Sequence, residues 1–207
     1  MSTVKEEAIK LRKNIDDVYK AGIQSEYDRF WDSFQQKGLA YISYANAFDY
    51  DRWTDEIFNP KYPIKPSDCN NMFMRSALTD TKVDIDLTCS IMTQAFYLFE
   101  SSKLITIRKL IVPINRSYTR YFNGCNSLRN ITFEGEIGRS IDFSYSPLTV
   151  ESMKSVITHL ANYTGTDKEG TYTVTFNGAC WEALEADSTA PDGSTWKLYV
   201  DSLGWLT

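Results

Sequence analysis

The chain has 207 residues, of which 43% are hydrophobic and 14% aromatic, and its formal net charge is −5. This composition excludes a disordered chain and provides enough apolar side chains for one core. The acidic balance argues against a protein that binds nucleic-acid phosphates or anionic lipid. The sequence contains a single histidine, His159. Because histidine is the commonest general base, we expect no enzyme.

No segment is apolar enough for a signal sequence or a transmembrane helix, so we expect no membrane insertion. The cysteines are too widely spaced for a zinc site, and they are predicted to be reduced and buried: Cys69, Cys89, Cys125 and Cys180. A phosphate-binding glycine loop is also missing from the sequence. We therefore expect neither a metal nor a cofactor.

Residues 1–38 are predicted to form an N-terminal helical anchor. Apolar residues recur there at alternating intervals of four and three residues, in a heptad seam that includes Val4, Leu11, Ile15 and Val18. The register shifts at Gly22, which predicts two helical pieces, 4–20 and 23–36. The first seam covers only about two heptads. Two interpretations stay open: a helix packed on its own domain, or a self-association or docking helix. Self-association would make a homo-oligomer, whereas docking would attach the chain to a different protein.

Residues 39–68 are predicted to form an aromatic connector that also covers the first layer of the unit after it. The segment is rich in tyrosine, tryptophan and phenylalanine. Pro60, Pro63 and Pro66 exclude a long helix here.

Residues 69–147 contain an internal repeat. A phenylalanine is followed five or six residues later by a leucine in four pairs: Phe73/Leu78, Phe99/Leu104, Phe122/Leu128 and Phe143/Leu148. The leucines lie 26, 24 and 20 residues apart. After each leucine comes a short segment in which apolar and polar residues alternate, as expected of a strand. In the third unit Ile131 and Phe133 are its apolar residues, and they are predicted to point inward. This period, with one strand per unit, predicts a short leucine-rich-repeat solenoid whose neighbouring units share one core.

One unit carries a resemblance to a known repeat family. The segment 121–133 reads YFNGCNSLRNITF. It resembles the BspA-type leucine-rich repeat, roughly A-F-x-x-C-x-x-L-x-x-I-x-I-P, with matches at Phe122, Cys125, Leu128, Ile131 and Phe133. The other units lack the cysteine, and three are one residue shorter between phenylalanine and leucine. The resemblance covers about residues 70–145 and implies a scaffold without catalytic residues.

Residues 148–207 are predicted to be a C-terminal α/β capping unit, which makes the whole an α+β fold. The pattern indicates a helix from Leu148 with Thr149 as its N-cap, and then a strand over 171–176. Short helices are predicted over 180–186 and 194–202, with a closing strand at 204–206. His159 lies off the apolar stripe of the first helix, so we expect it at the surface or at a helix end.

The outward positions of the predicted strands form the candidate binding face. They are Lys82, Asp84, Asp86, Arg108, Asn130, Thr132, Glu134, Thr171, Thr173 and Thr175. Their mixed charges and hydroxyls suit a polar, hydrated contact. The other interpretation is that these are only the solvated outer positions of a sheet.

The segment 21–38 is similar to the leaders of repeat proteins encoded near tail genes in prophages of gut Firmicutes. The similarity implies a non-enzymatic phage or prophage particle protein, associated with tail or baseplate, that binds a protein partner or a host-surface receptor. Such a protein would be found in the virion or in the bacterial cytoplasm. One alternative is an intracellular phage-encoded inhibitor or adaptor that acts by protein–protein binding. A remote alternative is a carboxylate-based glycan hydrolase.

Overall fold

The computed structural model describes residues 42–43, 47–48, 53–56, 58–60, 62–89, 97–118 and 120–207. The predicted N-terminal helix lies outside the described residues, and with it the seam of Val4, Leu11, Ile15 and Val18. Part of the predicted connector over 39–68 also lies outside them.

The described strands are short and the helices are concentrated toward the carboxyl end. The strands are β1 (Ile42–Ser43), β2 (Pro66–Asp68), β3 (Ile85–Asp86), β4 (Thr106–Val112), β5 (Asn130–Gly135), β6 (Ile141–Phe143) and β7 (Val174–Phe176). The helices are a 3₁₀ turn (Leu87–Cys89), α1 (Val150–Thr158), α2 (Gly178–Asp187) and α3 (Trp196–Ser202).

All pairing between these strands is parallel. Within the described part of the chain the strands form three sheets, β1–β2, β3–β4–β5 and β6–β7. In the central sheet Leu110 of β4 lies between Ile85 of β3 and Phe133 of β5. Successive strands along the chain are therefore neighbours in space, which brings the side chains of one strand onto those of the next.

A row of aromatic rings, stacked from Phe73 to Phe176 and tilted between Phe48 and Phe73, forms the centre of the core. The ring centroids are 5.0 Å apart for Phe48 and Phe73, 5.6 Å for Phe73 and Phe99, 5.5 Å for Phe99 and Phe122, 4.3 Å for Phe122 and Phe143, and 5.9 Å for Phe143 and Phe176. The leucines of the four sequence pairs are buried as well. The phenylalanine and leucine spacing therefore identified core positions correctly.

The predicted leucine-rich-repeat solenoid with a C-terminal α/β cap is wrong. Across the described residues the structure has mixed α/β content, with three α-helices and parallel pairing divided among three small sheets. The strand ladder stops at β5 because its next neighbour is α1. The Ile131 amide donates a hydrogen bond to Ser152 Oγ at 2.9 Å, and the Phe133 amide donates to Ser155 Oγ at 2.9 Å. On the other side of the central sheet, a bridge between Ile64 and Ile85 is the one pairing beyond β3 among the residues that the structure describes.

The outward positions Lys82, Asp84 and Asp86 belong to the alternating segment Lys82–Leu87, which the pattern predicts to be one strand, and the observed strand is shorter. Lys82 has a φ of 57°, which belongs to a turn, and Leu87 begins the 3₁₀ turn. Only Ile85 and Asp86 pair with β4. The alternating pattern was real, but the backbone bends at both of its ends.

The predicted C-terminal helices are confirmed. Thr149 caps α1 by accepting a hydrogen bond from the Ser152 amide, and the two later helices begin and end within two residues of the predicted positions. The predicted closing strand is reduced to one bridge, between Thr173 and Leu206. Measured over the described residues, no helix combines the length and the apolarity that crossing a membrane requires.

Candidate binding surface

The predicted binding face is divided between two sheets. Lys82, Asp84, Asp86, Arg108, Asn130, Thr132 and Glu134 lie in or directly before the strands of the central sheet, whereas Thr171, Thr173 and Thr175 lie in or before β7. The structure therefore does not bring all ten residues onto one surface. The larger group surrounds a single irregularity in β4.

That irregularity is a β-bulge. Ile107 pairs with Ile131, and Leu110 pairs with Phe133, so two residues of β4 oppose the single residue Thr132 of β5. The two residues are Arg108 and Lys109, and neither is buried. Strict alternation would have turned one of them toward the core. The bulge instead places two consecutive cations on the solvent side of the sheet.

Lys109 is neutralised by its neighbours on both flanking strands. Its Nζ lies 2.9 Å from Glu134 Oε2 and 3.9 Å from Asp84 Oδ2. The hydrogen bond to the Glu134 carboxylate, with the charges of Glu134 and Asp84, raises the pKa of Lys109 above its ordinary value. Asp84 and Glu134, two of the predicted face residues, are therefore already paired with Lys109. Strict alternation along β4 predicts that Lys109 points inward, so Lys109 is missing from the predicted face.

The backbone of Arg108 is fixed by a hydrogen bond, whereas its guanidinium makes only a long ion-pair contact among the described residues. Its amide donates to Thr81 Oγ1 at 3.1 Å, which fixes the strand. Its Nε lies 3.9 Å from Asp80 Oδ1, too far for a hydrogen bond, and 58% of its side chain is exposed. The Arg108 side chain therefore lies on the surface, more than half exposed, with Asp80 at ion-pair distance from its Nε.

A depression of about 520 Å³ lies beside Arg108, between β4, β5 and the first turn of α1. It is lined by Thr106, Ile107, Arg108, Asn130, Ile131, Thr132, Thr149, Glu151 and Ser152. Three of the predicted face residues, Arg108, Asn130 and Thr132, meet here. Asn130 Nδ2 donates to Thr106 Oγ1 at 3.3 Å across the two strands.

The sequence did not predict that the start of α1 would form one side of this depression. Thr149 caps α1 and Glu151 lies in its first turn, in a segment that the sequence pattern predicts to be part of a separate capping unit. Only the packing of α1 along the β5 edge brings them to the central sheet. The irregular pattern of β4, which is more apolar than its neighbours, was the one sequence signal for the bulge.

The other predicted face residues have structural partners. Lys82 Nζ donates to the Asp55 carbonyl. Asp86 is buried rather than outward, because its carboxylate accepts from the Thr88 amide at 3.0 Å as the chain enters the 3₁₀ turn. The Thr173 amide donates to Ser140 Oγ at 3.0 Å, and Thr175 pairs with Asp142. The amide of Thr171, whose side chain is exposed, donates to the Lys168 carbonyl at 3.1 Å.

Three cysteines and the histidine of the described residues are buried or engaged with the backbone. Burial raises the pKa of the Cys125 thiol to about 11, and Cys69 and Cys180 are buried too. His159 Nδ1 lies 2.7 Å from the Ser155 carbonyl at the end of α1, where a helix-end histidine was expected. The described part of the chain holds no group of His, Cys, Asp or Glu side chains arranged to bind a metal ion. What the depression offers is hydrogen bonding and ion pairing.

No family model, no curated protein and no solved structure matches this chain.

Proposed function

We propose that this chain is a non-enzymatic binding module that contacts a protein partner or a host-surface receptor through the solvent side of its central sheet. One observation carries the proposal. The β4 bulge turns Arg108 and Lys109 outward beside a polar depression of about 520 Å³, while Ile107, Leu110 and Val112 of the same strand are buried. The core thus holds one side of the strand in place and leaves the other side for contact.

Part of this surface is held in place by contacts between its own side chains. Lys109 links Asp84 and Glu134 across three strands, and the Thr106–Asn130 pair links β4 to β5. Side chains that are already held in place lose less entropy on association. A mixed set of charges, hydroxyls and amides is also typical of non-obligate interfaces, which are about as polar as the rest of a protein surface.

We further propose that the module belongs to a phage or prophage particle, at the tail or baseplate. This rests on the similarity of residues 21–38 to leaders encoded near tail genes, with the seam of Val4, Leu11, Ile15 and Val18 as the anchor. Mass spectrometry of purified particles tests it. Recovery of the protein only from the cytosol of infected cells would favour the inhibitor or adaptor instead.

The contact surface is tested by site-specific photo-crosslinking. A photoreactive amino acid at Thr132, on the depression, is compared with the same amino acid at Glu182, which is exposed on α2. Incubation with particle proteins or host surface proteins should give a discrete adduct from position 132 that excess unlabelled chain removes. The surface is rejected if position 132 gives no adduct, or the same adducts as position 182.

A further inference from the structure

Building on the proposed function, we infer that the depression beside Arg108 binds the carboxylate of an acidic side chain in an extended segment of the partner protein. The chemistry of the lining residues supports this more specific assignment. Four observations support it: the long distance between Arg108 and its acidic neighbour, the hydrogen-bond donors around Arg108, the position of Glu151, and the lack of aromatic rings among the nine described lining residues.

Arg108 is the group that favours a carboxylate. A guanidinium presents five N–H donors in a planar fork that matches the two oxygens of a carboxylate. Asp80, its acidic neighbour, is 3.9 Å from Nε, so this contact leaves the fork available to a ligand. Lys109, by contrast, already has Glu134 at 2.9 Å and Asp84 at 3.9 Å and does not compete for the same ligand.

The residues next to Arg108 can complete the hydrogen bonding of a carboxylate. Thr132 lies directly opposite the bulge and is exposed. Asn130 lines the same depression, and its contact with Thr106 leaves it one further amide hydrogen. A carboxylate that pairs with arginine gains most when neighbouring donors satisfy its remaining lone pairs.

Glu151 restricts which residues can flank the aspartate or glutamate of the partner segment. It lies on the wall formed by the first turn of α1, and its negative charge opposes any carboxylate on that side of the depression. The bound carboxylate is therefore placed at the Arg108 side, and a second carboxylate beside it is disfavoured. The expected ligand is therefore an isolated aspartate or glutamate next to neutral or basic residues, rather than a run of acidic residues.

The lining also favours a protein segment over an acidic sugar. None of the nine described residues that line the depression is aromatic. Sugar rings are commonly bound by stacking against an aromatic side chain, and this surface provides none. Hydroxyl, amide and guanidinium groups beside a β-bulge suit an extended peptide instead.

The test uses the full chain, labelled with a fluorophore, on arrays of short peptides with acetylated and amidated ends. The peptides have randomised flanks and differ at the central position, which is Asp, Glu, Asn, Gln or Lys. Immobilised sialyllactose is included as an acidic sugar. Arg108→Gln is compared with Arg129→Gln, which removes the same charge from an exposed arginine outside the depression. Circular dichroism confirms that each variant is folded.

We expect about tenfold stronger retention on Asp and Glu peptides than on Asn and Gln peptides, the ratio that one good charge-assisted contact provides. Arg108→Gln should remove the preference, and Arg129→Gln should keep it. Peptide binding without a carboxylate preference, or a preference that survives Arg108→Gln, overturns this inference but leaves the proposed function standing. Retention on sialyllactose alone overturns the assignment to a protein segment. Retention on no probe at all overturns the inference of an acidic peptide ligand, and the proposed function is then decided separately by the photo-crosslinking at Thr132.

Discussion

The hydroxyl of Ser152 in α1 accepts a hydrogen bond from the backbone amide of Ile131 in β5, at 2.9 Å. Ser155, one turn further on, does the same for the amide of Phe133. The last strand of the central sheet is therefore completed by helix side chains rather than by another strand. An uncovered strand edge invites pairing with other chains, and α1 removes that edge. The same contact carries Glu151 to the depression.

Replacing Ser152 by alanine should destabilise the fold, because the buried amide of Ile131 would lose its acceptor. The expected loss is about 1–3 kcal/mol in the free energy of unfolding, measured by urea denaturation. Ser127→Ala, at an exposed turn position, is the matched control and should change stability by less than about 0.5 kcal/mol. Equal effects from the two variants would show that the hydroxyl of Ser152 does not support β5.

Replacing Phe122 by alanine should have a larger effect. Its ring is stacked between Phe99 at 5.5 Å and Phe143 at 4.3 Å, and it is almost fully buried. A cavity there is expected to cost about 3–5 kcal/mol. Tyr145→Ala removes an aromatic ring that is 53% exposed and should leave the unfolding midpoint nearly unchanged. A mild effect of the Phe122 variant would contradict a continuous aromatic core.

Gly135 should not accept a side chain. Its φ is 88°, and a Cβ there would lie 2.2 Å from the Val112 carbonyl oxygen. Gly165 provides the matched comparison, because its φ is 72° and a Cβ would meet nothing within 4 Å. Gly165→Ala should cost only the backbone strain, about 1–2 kcal/mol. Gly135→Ala adds the clash with β4, so its unfolding midpoint in urea should fall further; similar midpoints would refute the close approach of β4 and β5.

Alkaline pH should weaken the fold partly through Cys125. Burial raises the pKa of this thiol from 9.0 to about 11 in the folded protein. The raised folded pKa means that this contribution is complete below pH 9.0 and is lost as pH rises toward about 11, because the unfolded chain ionises first. Thermal unfolding of the wild type and of Cys125→Ala at neutral pH and within this window measures it.

The alanine variant, although less stable at neutral pH, should lose less stability than the wild type over that interval. Parallel declines would show that the Cys125 thiol does not contribute. Comparing each variant with itself at two pH values keeps the cavity left by the missing sulfur out of the result.

The aromatic row and the helices could be predicted because their signals are local. Phe122 and Leu128 recur at a spacing that one turn of chain determines, and Thr149 caps α1 through an amide only three residues away. The residues of the depression could be predicted in part. Arg108, Asn130 and Thr132 were identified as outward positions, but nothing in their own segments indicated which of the ten candidates would meet.

By itself, then, the sequence determined the buried phenylalanines and leucines of the core and placed the C-terminal helices to within about two residues, since apolar spacing and helix caps act over a few residues. Only the tertiary structure decided that the strand ladder ends at α1, that β4 bulges at Arg108 and Lys109, and that Glu151 faces the same depression. Those features depend on which backbone amide finds which acceptor across more than twenty residues of chain. These hydrogen bonds form only when the whole core packs together. For this reason the repeat predicted core residues but did not predict the fold.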